Sequence, residues 1–170
     1  ITSYSIGETT VGNPNLKQSF THRFNFRASD YKVLKSKSIS LNINYSTTEN
    51  AITNASTIDT LGRRINQAIN VNGNYNLNVS ASYGFDIVTS LNVGINAGPR
   101  KNRNVNVING KENITDNNSL NLGVYSGYWS EKWINFWLNF NASYNSSTSS
   151  IRPDVVTKYW SYNSYSNLQF

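Results

Sequence analysis

The side chains able to do proton or covalent chemistry are few and scattered. One histidine, His22, stands among nine acids in a chain without cysteine. A hydrolase or transferase needs a nucleophile and a base within hydrogen-bond reach, or two carboxylates tuned apart. His22 falls at an apolar position near the outer end of an alternating run and reads as a strand-end histidine. Glu49, Asp59, Glu112, Asp116, Glu131 and Asp154 lie between apolar runs, where a solvated carboxylate is expected. Without a histidine pair or a thiolate there is no donor set for a metal. Gly94 to Gly98 lacks the lysine and the strand-to-helix setting of a phosphate loop. The reading is no enzyme, no cofactor and no metal site.

What the chain has in abundance is the carboxamide. From Ile69 to Asp86 apolar and small positions, Ile69, Val71, Gly73, Tyr75, Leu77, Val79, Ala81, Tyr83 and Phe85, alternate with Asn70, Asn72, Asn74, Asn76, Asn78, Ser80, Ser82, Gly84 and Asp86. Asparagine is a poor strand former in water-soluble sheets. A face of amides and hydroxyls therefore has another purpose, which is to meet water or polar groups while the opposite face meets none. Period-two patterning over roughly eighteen residues exceeds an ordinary strand of about five or six, and the sequence predicts one unbroken strand there.

The elements that would position these rows follow from the same alternation. A first strand covers Phe20 to Ser29, and a second covers Ser38 to Thr47, with Leu41 and Ile43 on its apolar face. After the long third strand, a fourth puts Val93 and Ile95 opposite Asn92 and Asn96. A fifth includes Leu120, Leu122 and Val124 and ends in a turn at Ser130-Glu131-Lys132, with its lower register open between Tyr125 and Tyr128. A sixth sets Phe136, Leu138 and Phe140 against Asn135, Asn139 and Asn141. A seventh, Lys158 to Phe170, has aromatics on both faces, and its register stays open.

Gaps between these strands alternate between short and long, with the long ones at Thr48 to Asn66, Pro99 to Asn118 and Ser146 to Thr157. That is the pattern of an up-and-down transmembrane β-barrel with short periplasmic turns and long extracellular loops. Asp59-Thr60-Leu61-Gly62 marks a hairpin tip inside the first long gap. Aromatics add an interface girdle: Tyr31, Tyr83, Phe85, Tyr128, Trp129 and Trp133 beside the short turns, and Phe20, Tyr45, Tyr144 and Tyr159 near the outer ends. The expected fold is all-β, an antiparallel barrel segment of about seven strands. Its lipid-facing candidates are Leu41, Ile43, Leu77, Val79, Val93, Ile95, Leu122, Phe136, Leu138 and Phe140. Its lumen-facing candidates are the ten asparagines Asn70, Asn72, Asn74, Asn76, Asn78, Asn92, Asn96, Asn135, Asn139 and Asn141.

Composition agrees with a folded wall. Only 14% of the 170 residues are charged, where soluble domains carry about a quarter, and 13% are aromatic, which disordered chains lack. The net charge of +6 raises nucleic acid as a partner. The basic residues gather instead in short clusters such as Lys32, Lys35, Lys37 and Arg100, Lys101, Arg103, expected in turns and loops, so no nucleic acid is expected. Ile1 to Ile6 has neither the basic region nor the apolar core of a signal peptide, so the chain reads as mature or as cut from something longer. Seven strands leave the first and last running the same way, which is an arc rather than a closed antiparallel barrel. A weak N-terminal strand at Ile1 to Ile6 would make eight.

Val11-Gly12-Asn13-Pro14-Asn15-Leu16-Lys17 resembles the Gly-Asn-Pro-x-Leu-Lys-Pro-Glu stretch that leads into the barrel of TonB-dependent outer-membrane receptors, with Gln18-Ser19 in place of Pro-Glu. Gly12, Asn13, Pro14 and Leu16 carry the match. Thr60-Leu61-Gly62-Arg63-Arg64 and Asn70 to Tyr75 resemble a turn and strand of the Bacteroidetes branch, the SusC-related barrels. The resemblance implies a bacterial outer-membrane location and a barrel of about 22 strands around a plug. It also implies import of a nutrient driven through TonB, with a surface ligand-capture lipoprotein as a further partner. Residues 1–170 would then be one segment of the barrel wall, in contact with the lipid bilayer, the remaining strands and the plug. Two alternatives stand beside it: a secreted Asn-rich β adhesin or fibre segment, and a small complete outer-membrane pore.

Overall fold

The computed structural model describes residues 3–5, 7–32, 36–130 and 134–169, and all of its regular structure is strand. Its eleven strands are β1 (Ser3–Ser5), β2 (Glu8–Val11), β3 (Phe20–Lys32), β4 (Lys37–Glu49), β5 (Ala51–Ile58), β6 (Arg64–Val71), β7 (Asn74–Val88), β8 (Leu91–Ile108), β9 (Lys111–Tyr128), β10 (Asn135–Ser149) and β11 (Arg152–Gln169). All belong to one sheet. The expected count of about seven strands is therefore corrected.

Seven of the eleven form a continuous antiparallel meander in the order β3-β4-β7-β8-β9-β10-β11. The other four, β1, β2, β5 and β6, lie beyond the end of β4 and β7. Among the described residues β3 pairs only with β4 and β11 only with β10, so both outer edges of the sheet are open.

The single strand expected from Ile69 to Asp86 is interrupted. β6 ends at Val71 and β7 starts at Asn74, with Gly73 at φ +96 between them. A positive φ costs an L residue energy that glycine does not incur, so the chain turns at the one position without a Cβ. Alternation of side-chain types survives across the break, and this is why the sequence pattern hides it.

The long gaps are also corrected. Pro99 to Asn118 is no loop: β8 and β9 run 18 residues each and meet at Asn109-Gly110, both with positive φ. Two such residues make the two-residue hairpin turn whose twist matches the flanking strands. β10 and β11 likewise extend to a turn at Ser150-Ile151, with a bulge after Thr148. The Asp59 tip is a turn as expected, with the Gly62 amide donating to the Asp59 carbonyl at 3.0 Å. The turn expected at Ser130-Glu131-Lys132 falls largely outside the described residues, as do Trp133, Phe170 and much of the Ile1 to Ile6 segment.

Burial is sparse. The chain exposes 12218 Å², where a compact protein of this mass would expose roughly 8,400 Å². Among the described residues the buried apolar side chains are Ala51, Val71 and Val105, packed with Ile69 and Ile114, and all lie in the outer part of the sheet. Apart from Val105 of β8, no apolar side chain described in the seven-strand meander is buried. Phe24, Ile95 and Val124 are each more than half exposed.

Candidate functional site

Register assigns the faces of the wall, because residues directly opposite across a ladder point to the same side. Ile43 faces Val79, Leu41 faces Ala81, and Tyr45 faces Leu77. Val93 faces Phe85, Ile95 faces Val124, and Ala97 faces Leu122. Phe140 faces Val124, Leu138 faces Ser126, and Phe136 faces Tyr128. All ten apolar candidates thus share one face.

Asn78 opposes Asn44 and Arg100, Asn76 opposes Ser46 and Asn102, and Asn96 opposes Ser82 and Gly123. Asn92, Asn139 and Asn141 continue that polar face through Gly127, Tyr125 and Gly123. Asn135 closes it at one end, opposite Gln169, with its Oδ1 accepting from the Ser130 amide at 2.7 Å.

The polar face is knit across the strands by its own side chains. Asn92 donates to Asp86 at 2.7 Å, Ser147 to Asn117 at 2.7 Å, and Asn113 to Asn106 at 2.9 Å. Ser143 donates to Asn121 across the ladder, while Asn141 donates to Asn139 along β10 itself. A carboxamide carries two donors and an acceptor with two lone pairs, so one side chain can bond to neighbours on both sides. Asn113 does so, donating to Asn106 of β8 and accepting from Ser149 of β10.

Asn74, opposite Thr48 at the start of β7, ends this row, and Asn70 and Asn72 lie beyond it. All three sit at the break between β6 and β7 and bond to backbone. Asn72 Oδ1 accepts from the Asn50 amide at 2.8 Å, and Asn74 Oδ1 accepts from the Val105 amide at 2.8 Å. Asn70 Nδ2 donates to the carbonyls of Asn50 and Lys17, while its Oδ1 accepts from the Lys17 amide.

These bonds hold a crossing. At the level of β4 and β7 the sheet order is β3-β4-β7-β8; beyond Asn50 and Gly73 it is β2-β6-β5-β8. The β5–β6 hairpin therefore turns over relative to the strand pair it continues. Backbone groups lose ladder partners at such a crossing, and side-chain amides replace them. The Gly12-Asn13-Pro14-x-Leu16 stretch leads from β2 past this node into β3, with Asn13 Nδ2 donating to the Ala68 carbonyl at 2.9 Å.

The apolar face has defined limits. On β8 it runs Leu91, Val93, Ile95, Ala97, Pro99 and then changes to Lys101 and Arg103; on β9 it runs from Tyr128 to Leu120 and changes to Asn118 and Asp116. Beyond the change, Arg103 makes a two-pronged ion pair with Asp116 at 2.7 and 2.8 Å and lies over the Tyr75 ring at 5.4 Å.

Aromatic pairs border the band: Tyr83 with Phe85 and Tyr128 with Phe136 at one end, Tyr45 with Tyr75 and Tyr144 with Trp160 at the other. Trp160 and its neighbour Tyr162 belong to this border although the sequence left their register open. Tyr31 and Tyr159, expected in the girdle, have polar-face register instead, opposite Ser38 and Asn145. Trp129 likewise packs against Trp137 of the polar face at 6.0 Å. Tyr125 lies on the polar face, stacked on Trp137 at 5.6 Å, and a Cβ at Gly94 would overlap its ring. Glycine there is a packing requirement that alternation alone cannot reveal.

Elsewhere the chemistry is structural. His22 and Glu49 approach to 3.6 Å at the ends of β3 and β4, both well exposed. At the hairpin tip, hydrogen bonds from the Arg63 amide and guanidinium hold the Asp59 carboxyl below its ordinary 3.8. Among the described residues no three His, Asp or Glu side chains come together as a metal site, and no helix is long and apolar enough to cross a membrane.

No match is found among curated proteins or solved structures. The model of a family described as "Outer membrane protein beta-barrel family" matches residues 3–107. That span is more than half of the chain and includes the crossing, the first three wall strands and most of β8. The chain belongs to this outer-membrane β-barrel family.

Proposed function

We propose that these strands are part of the wall of a TonB-dependent receptor that imports a nutrient across the outer membrane. The carrying observation is the two-faced meander: an apolar face bordered by aromatics, backed by an amide face bonded across the strands. Phe136 to Tyr144 of β10 covers the band in about nine residues, the length of a tilted membrane-crossing strand. In this reading the ten apolar candidates face lipid, and Asn76, Asn78, Asn92, Asn96, Asn135, Asn139 and Asn141 face the lumen or a plug. Asn70, Asn72 and Asn74 belong to the rim.

The receptor assignment within the barrel family is supported by Gly12-Asn13-Pro14-x-Leu16 at the approach to β3, and by the Thr60 to Arg64 tip. Partners are then lipid, further strands, a plug, TonB and a surface ligand-capture lipoprotein. The chain's own part is passive, with no catalytic step and no nucleic acid.

Because the chain has no cysteine, single introduced thiols report topology cleanly. With a membrane-impermeant maleimide, Gly110→Cys should label on intact cells and Thr89→Cys only after permeabilisation. Labelling of both on intact cells would overturn the spanning orientation. Loss of TonB should stop uptake by the whole receptor while leaving ligand capture at the surface, and uptake that persists would overturn the receptor assignment.

A further inference from the structure

Beside the outer halves of β8 and β9 the polar face forms a cleft of about 230 Å³, where Arg100, Asn102, Asn117 and Tyr159 meet. Arg100 lies opposite Ser119, Asn102 opposite Asn117, and Tyr159 opposite Asn145. No carboxylate lines it.

Around Arg100 the hydrogen bonds engage acceptors, whereas across the cleft Asn145 shows the opposite pattern, its Nδ2 donating to the Ser143 carbonyl and to Ser161 Oγ. Arg100 Nε donates to Asn78 Oδ1 at 2.9 Å, which sets the plane of the guanidinium and leaves its two terminal amino groups without a partner among the described residues. Asn102 Oδ1 accepts from Asn104 at 2.7 Å, and Asn117 Oδ1 accepts from Ser147 at 2.7 Å. In both amides the acceptor is engaged, and the NH2 group has no partner among the described residues. What remains on this side of the cleft is a fixed cation flanked by N–H donors, with no carboxylate in the lining to neutralise it.

Such a side selects its ligand by chemistry. A metal cation would be repelled by the guanidinium, and a neutral polyol would leave its charge unmatched. An oxyanion is acceptor-only, and a guanidinium fork matches two of its oxygens. Arg23 and Arg27 of β3 share the polar face, opposite Ser46 and Asn42, and add a positive field. Asp86 shares it too, at the end beside the Thr89-Ser90 turn, where it is bonded to Asn92.

We infer that this cleft binds the oxyanion group, phosphate, sulfate or carboxylate, of a solute passing along the wall. Its place on a transport path rests on the reading of the polar face as lumen; the binding itself does not.

The test is calorimetric titration of the whole protein in detergent micelles with inorganic phosphate, sulfate and acetate in turn. At least one should bind saturably, and the arm that binds names the oxyanion. R100Q should weaken it by about tenfold or more, as expected for loss of a charged hydrogen-bonding group. N117D replaces an amide donor with an anion of the same shape and should abolish binding. R27Q, on the same face but outside the cleft, should stay within about twofold, because it removes only distant field.

Absence of binding in all three arms, or equal losses in R27Q and R100Q, would overturn the inference. Should R100Q fail to fold by circular dichroism, N117D and N102D decide, and unaltered affinity in both would overturn it. A protein that stays monomeric without detergent would refute the membrane reading while leaving the phosphate result to be judged separately.

Discussion

The meander and the crossing above it are made from the same residue types and solve opposite problems. In the meander, β4, β7 and β8 keep one register for their whole pairing up to the bulge after Asp86, and side chains alternate strictly between faces. Nothing among the described residues covers its apolar face, and in the proposed reading the favourable term comes from hydrocarbon outside the protein. In the crossing, ladder partners change and amides cap the backbone. Ala51, Val71 and Val105 make a small core of their own there. One region borrows its apolar solvent; the other encloses it.

The strongest way to break that distinction is to place charge on the meander. Leu77→Arg or Val79→Arg should cost about 2 to 4 kcal/mol in urea-dependent refolding into lipid vesicles, if those residues face the bilayer midplane. Asn76→Arg and Asn78→Arg should cost much less. Equal costs at all four positions would erase the two faces.

A smaller effect separates enclosed from borrowed burial. Val105→Ala removes two methyl groups from the site that is 3% exposed and should cost about 1.5 kcal/mol. Val79→Ala should cost well under that if Val79 faces lipid, which would fill the space it leaves. The same refolding titration checks both, and a larger loss at Val79 would reverse the assignment.

Amide caps come next. Asn72→Ala should cost about 1 kcal/mol and speed hydrogen exchange at the Asn50 amide that it caps. Asn76→Ala, whose side chain makes no hydrogen bond in the described structure, should change neither. Unchanged exchange at Asn50 would remove the amides from the account of the crossing.

The smallest expected effect lies at the hairpin tip. Hydrogen bonds from Arg63 depress the folded pKa of Asp59 below 3.8. Its contribution is therefore fully present above the unfolded value and is lost as pH falls through the folded value. The Arg63 amide resonance should titrate with a midpoint below 3.8, and Asp59→Asn should abolish that titration. Because the carboxylate sits at an exposed tip, the effect on overall stability should be slight.

Much of the wall was legible from residue order. The apolar members of six strands, and the polarity of Asn92, Asn96, Asn139 and Asn141, follow from period two. The Asp59 tip follows from its turn residues. The hairpin at Asn109-Gly110 was also legible, since an Asn-Gly pair is a strong turn signal, but a polar stretch that long suggested a loop. Strands above the band can be polar on both faces, so alternation fades there without the strand ending. Tyr125, Trp129 and Tyr159 were misread or left open because an aromatic ring suits either face. Only the glycines opposite Tyr125 and the pairing partners of Tyr159 decide the side.

By itself the sequence determined that the chain is two-faced and β throughout, because side-chain alternation is a property of each strand before any strand has a neighbour. Tertiary structure alone decided which strands are neighbours. The break at Gly73 leaves the alternation intact, so no residue pattern marks it. Yet there β5 takes the place beside β8 that β7 holds below. Strand order depends on where backbone hydrogen bonds find partners far apart in the chain, and here the asparagine side chains at the crossing supply partners that the ladder gives up.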